Sequence, residues 1–435
     1  MGTKTGRKRP LRWMRLDNAA KIYPAARSEN WSSVYRLSVT LTEDVDRNVL
    51  QEALDITVKR FPSIACRLQK GLFWYYLEEL EKAPSIMDEY CHPLSRMSRE
   101  EVSRCGFRII VYKNRIALEL FHSLTDGSGA MVFLKTLTAQ YLEQKYGLSI
   151  PATDDVLDRK EAPKPEELED CFPKFAGPVP ASRKEHTAWP IQGTEEENGF
   201  LHVTAFRLSL QDTLAKAHQY DVSLTAFLCA VMMRAIMILQ EEKVPNPKKR
   251  KPIKVQIPVN LRRLFHVNTL RNFSLYTNPE LLPKLGHYDF GEICRLVKHH
   301  MGLYITPKMM QMVIAANVGN EQMTAVRLMP LFIKNAVMKA VFNAVGEKLS
   351  CLSMSNLGAV TVPEKMKPFI TRFDFILGVQ AAAPYNCGVL SYENHLILNF
   401  IRNIKEPFLE RAFYQALQEQ DLMPELESND PSGKE

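Results

Sequence analysis

A two-lobed α/β fold, each lobe a mixed β-sheet flanked by helices, is what the sequence predicts, and three observations predict it. The chain has 435 residues, more than one core normally serves and enough for two lobes of about 200 residues each. Short β-rich runs alternate with segments of helical period along its length. A proline-rich stretch from Pro151 to Pro190 interrupts the alternation near the middle and reads as an interlobe crossover. The expected division places one lobe at 1–180 and the other at 181–435.

The elements follow in order. Asp46 can cap a helix to Phe61, because Leu50, Leu54, Val58 and Phe61 recur at helical spacing before Pro62. Phe107–Val111 and Arg115–Phe121 are two β-rich runs joined by a short connection, hence a hairpin. Ser128 is expected to open a helix whose apolar face carries Ala130, Leu134, Leu137 and Tyr141. In the second half, Leu201–Leu208 reads as a strand, and Ser209 with Asp212 as a capped helix start. Ser223 opens a long apolar helix to about Glu242, and Ile253–Val259 is a strand ending in Pro258-Val259-Asn260-Leu261-Arg262. Helices are expected over Asp289–Leu303 and Pro330–Val345. Leu349–Ser355 is expected as a strand, with Asn356-Leu357-Gly358 turning after it. A late hairpin, Gly388–Tyr392 with His395–Arg402, and a helix from Pro407 to Leu417 close the chain.

Composition narrows the function. Hydrophobic residues make up 46% and charged residues 24%, the balance of a folded enzyme body and not of a disordered scaffold. A net charge of +7 fits an anionic co-substrate, an acidic surface or nucleic acid and selects none of them. The eight cysteines are scattered, with no C-x-x-C and no zinc-like spacing. No metal is therefore expected, and the pattern points to a reducing, cytoplasmic setting. Met1–Arg15 is basic without an apolar stretch behind it, so it is not a secretory signal. Leu224–Leu239 carries Arg234 and falls short of the ~20 residues of a membrane span, so a buried helix is expected and no transmembrane segment. No glycine-rich phosphate loop occurs, so nucleotide hydrolysis is unsupported, and no nucleic-acid partner is expected.

The chemistry concentrates in His122-Ser123-Leu124-Thr125-Asp126-Gly127. Spacing alone would let His122 and Asp126 share a helical face. Their place at a strand end argues for a turn instead, and Gly127 suits a positive φ there. The following helix would aim its N-terminal amides at that turn and disfavour imidazolium, which keeps His122 neutral and able to accept a proton.

This His-x-x-x-Asp-Gly after a strand, the downstream Pro258-Val259-Asn260-Leu261-Arg262 and the late Ser355-Asn356-Leu357-Gly358 resemble the chloramphenicol acetyltransferase-like superfamily of CoA-dependent acyltransferases. Order and spacing are most similar to stand-alone bacterial alcohol acetyltransferase-like and condensation-domain-like proteins, over about Asp17 to Leu417. The resemblance implies two lobes meeting along an active-site tunnel, with donor entering from one side and acceptor from the other. It implies His122 as the general base on an acceptor hydroxyl. Asp126 would pair with Arg262, Arg263 being the fallback, and fix the loop beside Gly127. Ser355 and Asn356 would approach the tetrahedral oxyanion. No tightly bound cofactor is implied; acyl-CoA would be the co-substrate, with an acyl carrier protein as the variant donor and a small alcohol or natural product as acceptor. One chain supplies both walls of the tunnel, so a monomer is expected. Phe121 stands where condensation domains usually carry a first histidine, which weakens the peptide-synthetase form of the resemblance.

Plainer readings stand beside these. Ser355-Asn356 before Leu357-Gly358 is explained by turn chemistry alone. Lys248, Lys249 and Arg250 could meet the phosphates of CoA, but a solvated basic loop accounts for them as well. Met309, Met310 and Met312 could line an acyl pocket, and core packing is the default. Three functions are carried forward: a CoA-dependent O-acyltransferase, a carrier-protein-dependent condensation or release enzyme, and a binding protein that keeps the fold without turnover.

Overall fold

The computed structural model describes residues 11–27, 33–89, 92–180, 185–341, 347–379 and 383–430. Lys4, Arg7, Lys8 and Arg9 of the basic start lie outside the described residues. Two large sheets organise the chain. The first has five strands, centred on Val34–Leu41 and the hairpin Phe107–Tyr112/Arg115–Phe121, in which Phe107 faces Leu120 and Tyr112 faces Arg115. Lys113 turns that hairpin at φ 50°. The second has eight strands, and its middle is Ile253–Asn260, Leu352–Ala359, Tyr385–Tyr392 and His395–Arg402 in that order. Leu352–Ala359 runs parallel to both neighbours, while Tyr385–Tyr392 and His395–Arg402 form the expected antiparallel hairpin. The mixed-sheet α/β expectation holds.

Helix starts obey their capping residues. Asp46 Oδ1 accepts from the amides of Asn48 and Val49 to open Arg47–Thr57. Ser223 Oγ accepts from Ala226 N and opens Leu224–Lys243. That helix has 20 residues, longer than the apolar run alone indicated, and it meets the length and composition of a membrane span. It is nevertheless a core helix: 72% of its apolar window is buried, and Arg234 at its edge pairs with Glu419. Each large sheet has its own hydrophobic core. Leu118, Phe121, Phe133 and Leu137 belong to one, and Cys229, Met233, Val255 and Leu398 to the other. A third, small cluster around Phe273 takes in Met310, so that methionine is core packing.

The two sheets are stitched together by one strand. Ile370–Ile376 comes from the second half of the sequence but pairs antiparallel with Val34–Leu41 at the edge of the first sheet. It also passes so close to Tyr385–Tyr392 that a Cβ at Gly388 would lie 2.1 Å from the Phe375 carbonyl oxygen. A single cut at residue 180 therefore leaves one strand of the first sheet on the far side of the division. The sequence reading missed this strand and also Val34–Leu41. It missed the small sheet Trp13–Arg15, Tyr75–Glu79 and Cys66–Lys70. The helices Ile22–Ala26, Pro307–Gln322 and Thr324–Leu328 were likewise not expected. The expected helix at Pro330–Val345 begins one residue later and runs Leu331–Val341, its last residues lying outside those described.

Candidate active site

His122 is the first residue beyond the strand Arg115–Phe121, and its amide donates to Ser33 O at 2.9 Å. The residues after it are tied inward. Ser123 Oγ donates to Ala20 O at 3.0 Å, Leu124 is buried, and Thr125 Oγ1 donates to Leu270 O at 2.6 Å. Asp126 then caps the helix Gly127–Tyr146, accepting from Gly129 N at 3.2 Å. The loop is thus fixed by four separate elements, and the half-buried His122 ring is left facing a cavity.

Gly127 needs a correction. It occupies the first helical position, and its φ is not among the positive ones. It packs against the flexible end of Leu357, with a Cβ there 2.8 Å from Leu357 Cδ2. The positive φ falls instead on Gly358, at +82°. The strand Leu352–Ala359 is irregular between Asn356 and Ala359, so Ser355-Asn356-Leu357-Gly358 lies within a bulged strand and not in a turn after it.

The clamp on Asp126 is complete. Arg262 Nη1 donates to Asp126 Oδ2 at 2.8 Å, and the amide of Phe273 donates to the same oxygen at 2.9 Å. Arg262 also donates through Nε to Thr269 O at 2.6 Å and through Nη2 to Arg271 O. Burial raises the Asp126 pKa, but the Arg262 charge and these hydrogen bonds outweigh it and hold the carboxyl below its ordinary range. Asn260 supports the arginine: its Oδ1 accepts from Arg262 N at 3.1 Å, and its Nδ2 donates to Ser128 Oγ at 3.0 Å. Neighbouring Arg263 is exposed and faces the cavity.

A second set of contacts fixes the imidazole itself. Nδ1 lies 3.2 Å from Asn272 Oδ1, while Asn272 Nδ2 donates to Asp17 Oδ2 at 3.2 Å. The amide nitrogen belongs on the carboxylate side, so the oxygen faces the ring and must accept from Nδ1–H. That leaves the lone pair on Nε2, on the side of the cavity that His122 lines. Tyr23 stacks on the ring at 4.3 Å, and Tyr35 tilts against it at 4.9 Å. Burial pushes both phenols above their ordinary range, so the ring lies between neutral aromatics. Burial lowers the His122 pKa from 6.5, and it prevails over its own carbonyl, Asp126 and Asn272, which favour the cation. Asp17, fully buried beside Arg271, is pushed up to about 6.

None of Asp17, Tyr23, Tyr35 and Asn272 was read from the sequence. Asn272 lies 150 positions from His122 and 255 from Asp17, and no local spacing marks it. Replacing Asn272 by alanine is expected to lower kcat by about tenfold, the worth of one buried hydrogen bond that selects the reactive tautomer, with little change in KM. In the unaltered chain kcat/KM should hold level from mildly basic pH down to about 6. It should fall below that, because a proton on Asp17 weakens the acceptor that orients Asn272 and a proton on Nε2 removes the base. A pH–rate profile checks both.

The cavity holds about 860 Å³ and is lined from both large sheets, including Ser353, Ser355 and Asn356 from one and Tyr35 and Phe375 from the other. A second cavity of about 680 Å³ shares Ser128, Asn260, Arg263 and Leu357 with it. The two cavities adjoin at these four residues, and His122 lines the first of them. Asn356 donates through Nδ2 to Thr225 Oγ1 at 3.0 Å and accepts at Oδ1 from Gly358 N at 2.8 Å. Lys248, Lys249 and Arg250 are not brought here. They line neither cavity, and Arg250 is held by Glu241 at 3.1 Å. The cations on the second cavity are Lys135, Lys164, Arg262 and Arg263, of which Lys135 pairs with Asp155, Lys164 with Glu161 and Arg262 with Asp126. No group of three or more metal-ligating side chains occurs among the described residues.

In fold the chain is similar to solved acetyltransferases and condensation domains, which share the chloramphenicol acetyltransferase-like architecture. Three solved structures illustrate it. Polyketide synthase associated protein 5 from Mycobacterium tuberculosis is 17% identical, with 93% of this chain and 96% of that chain covered at a TM-score of 0.59. The TRI3 trichothecene 15-O-acetyltransferase from Fusarium sporotrichioides is 11% identical, with 96% of each chain covered at 0.60. F. graminearum TRI101 complexed with ethyl coenzyme A is 10% identical, with 95% of this chain and 99% of that chain covered at 0.62. No protein-family model matches the chain, and no curated protein matches it in sequence.

Proposed function

We propose that this protein is an acyltransferase that moves an acyl group from a CoA thioester to an acceptor hydroxyl, with His122 as general base. The observation that carries the reading is an imidazole with Nδ1 occupied by Asn272, on a cavity lined from both large sheets that leaves Nε2 for the acceptor. Nε2 takes the proton of the acceptor hydroxyl as its oxygen attacks the thioester carbonyl carbon. The tetrahedral intermediate then expels the thiolate, which takes that proton back from the imidazolium. Ser355, with Asn356 beside it, is the candidate donor to the oxyanion. Asp126 and Arg262 work at a distance, by holding the loop. The donor enters through the second cavity, where Lys164 and Arg263 can meet its charged end. The acceptor enters through the first, and one chain working as a monomer in the cytoplasm suffices. Solved relatives in fold support the donor class, since TRI101 is complexed with coenzyme A and deoxynivalenol.

The test is release of free thiol from acyl-CoAs in the presence of a panel of alcohols, with mass spectrometry of the ester. The expected result is thiol release that depends on the acceptor. Turnover with acyl carrier protein thioesters and none with CoA thioesters would move the donor assignment to a carrier protein, the reading favoured by the condensation domain of MokA polyketide synthase among the similar structures. No turnover with either donor would favour a binding protein that keeps the fold.

A further inference from the structure

We propose that the rim of the larger cavity is a docking surface for an anionic lipid bilayer, and that the acceptor is a lipophilic alcohol drawn from that bilayer. The statement about the acceptor rests on the acyltransferase reading above; the docking surface does not. Three elements build the rim, of which only Leu331–Val341 was expected. Leu331–Val341 sits against the tip of the hairpin between Cys66–Lys70 and Tyr75–Glu79, and Thr324–Leu328 precedes it in the chain. Leu331 N donates to Leu72 O at 3.0 Å, Lys334 Nζ donates to Phe73 O at 3.0 Å, and Asn335 Nδ2 donates to Tyr75 OH at 3.0 Å. The inner side of these elements lines the cavity through Trp74, Val326, Met329 and Met338.

Their outer side is apolar. Leu72 is 75% exposed, Phe332 70% and Leu328 67%, and Phe73 and Ile333 are exposed with them. A helix on a water-facing surface ordinarily turns a polar face outward. Large apolar side chains gathered on one surface mark an interaction site. The unpaired charges beside them are mostly cations, since the carboxylates Glu321 and Glu78 are paired with Lys21 and Arg67. Residues 323–341 hold Arg327, Lys334 and Lys339 and no Asp or Glu, and residues 69–76 hold Lys70 and none. Arg327, Lys339 and Lys70 are exposed. Residues 1–12, which lead into a strand of the same small sheet, add five cations and no carboxylate to a chain whose net charge is +7.

An apolar helix face flanked by cations is the composition that lies in the headgroup region of a bilayer. Each Lys or Arg near an anionic surface strengthens binding by about fivefold. An acidic carrier domain would answer the charges but leave the protruding leucines and phenylalanine without a partner; a bilayer satisfies both. The cavity would then open onto lipid. An alcohol with a long apolar body could pass from the membrane to His122 while the thioester stays shielded from water.

Sedimentation of the full-length protein with vesicles tests the surface. Phosphatidylcholine containing phosphatidylglycerol is expected to carry the protein down, pure phosphatidylcholine much less, and added salt should weaken the binding. The double variant Leu72→Ser/Phe332→Ser alters two exposed side chains that do not line the cavity, and it should lower the partition by at least about tenfold per side chain. Its melting temperature and its turnover of a short water-soluble alcohol should be unchanged. His122→Ala should bind vesicles like the unaltered chain, which keeps failure of the docking surface separate from failure of the acyltransferase reading. Equal sedimentation of the unaltered chain and the double variant would overturn the proposal. So would absence of binding to the anionic vesicles, or a self-association or carrier-protein complex that the double variant abolishes while vesicle binding stays unchanged.

Discussion

Replacing His122 by alanine is expected to lower kcat for acyl transfer by about 10²–10⁴, the range of a positioned general base, while the protein stays folded. The fold should survive because the ring contributes little that the loop needs. The backbone amide of His122 still reaches Ser33, and Ser123 and Thr125 still anchor the turn to Ala20 and Leu270. KM for the thioester should move little, since the ring acts on the acceptor. Thiol release under saturating donor, with a melting curve alongside, reads both quantities. Normal turnover in the alanine variant would remove His122 from the mechanism.

The second large effect is on stability. Arg262→Ala removes the ion pair to Asp126 and leaves that carboxylate buried with only the amides of Gly129 and Phe273. Breaking a buried pair from one side costs about 3–5 kcal/mol. The same change strips donors from the carbonyls of Thr269 and Arg271, in the segment that carries Asn272. The loss should therefore appear twice, as a lower urea midpoint and as a lower kcat from a mispositioned imidazole. Arg263→Ala is the control: its side chain is exposed, and its effect on the midpoint should stay within about 0.5 kcal/mol. Equal midpoints for the two variants would mean that the clamp does not hold the loop.

What the sequence made legible was local. Strong periodicity found the hairpin at 107–121 and the helices that begin at Arg47 and Leu224, because capping residues and apolar spacing sit within a few positions of each other. The motif put His122 at a strand end, and resemblance supplied Arg262 as the partner of Asp126. The rest depends on contacts between distant segments. Ile370–Ile376 is an ordinary β-rich run whose membership in the first sheet is decided by its pairing with Val34–Leu41, more than 300 positions away. Asn272 and Asp17 carry no signature, since any amide and any carboxylate would look the same in a loop. Gly127 was assigned a backbone role because a turn was expected; that it opens a helix and packs against Leu357 becomes visible only in three dimensions. The basic run Lys248–Arg250 left both readings open for the complementary reason. Charge density is legible in a sequence, but the side of the molecule it occupies is not.

The measurement that bears most directly on this account is a long-range ¹H–¹⁵N correlation spectrum of the His122 imidazole at neutral pH, assigned by its loss in His122→Ala. An Nδ1–H tautomer with an unprotonated Nε2 is the expected result. A ring protonated on Nε2, either as the other tautomer or as imidazolium, would leave no lone pair toward the cavity and would contradict the role given to His122.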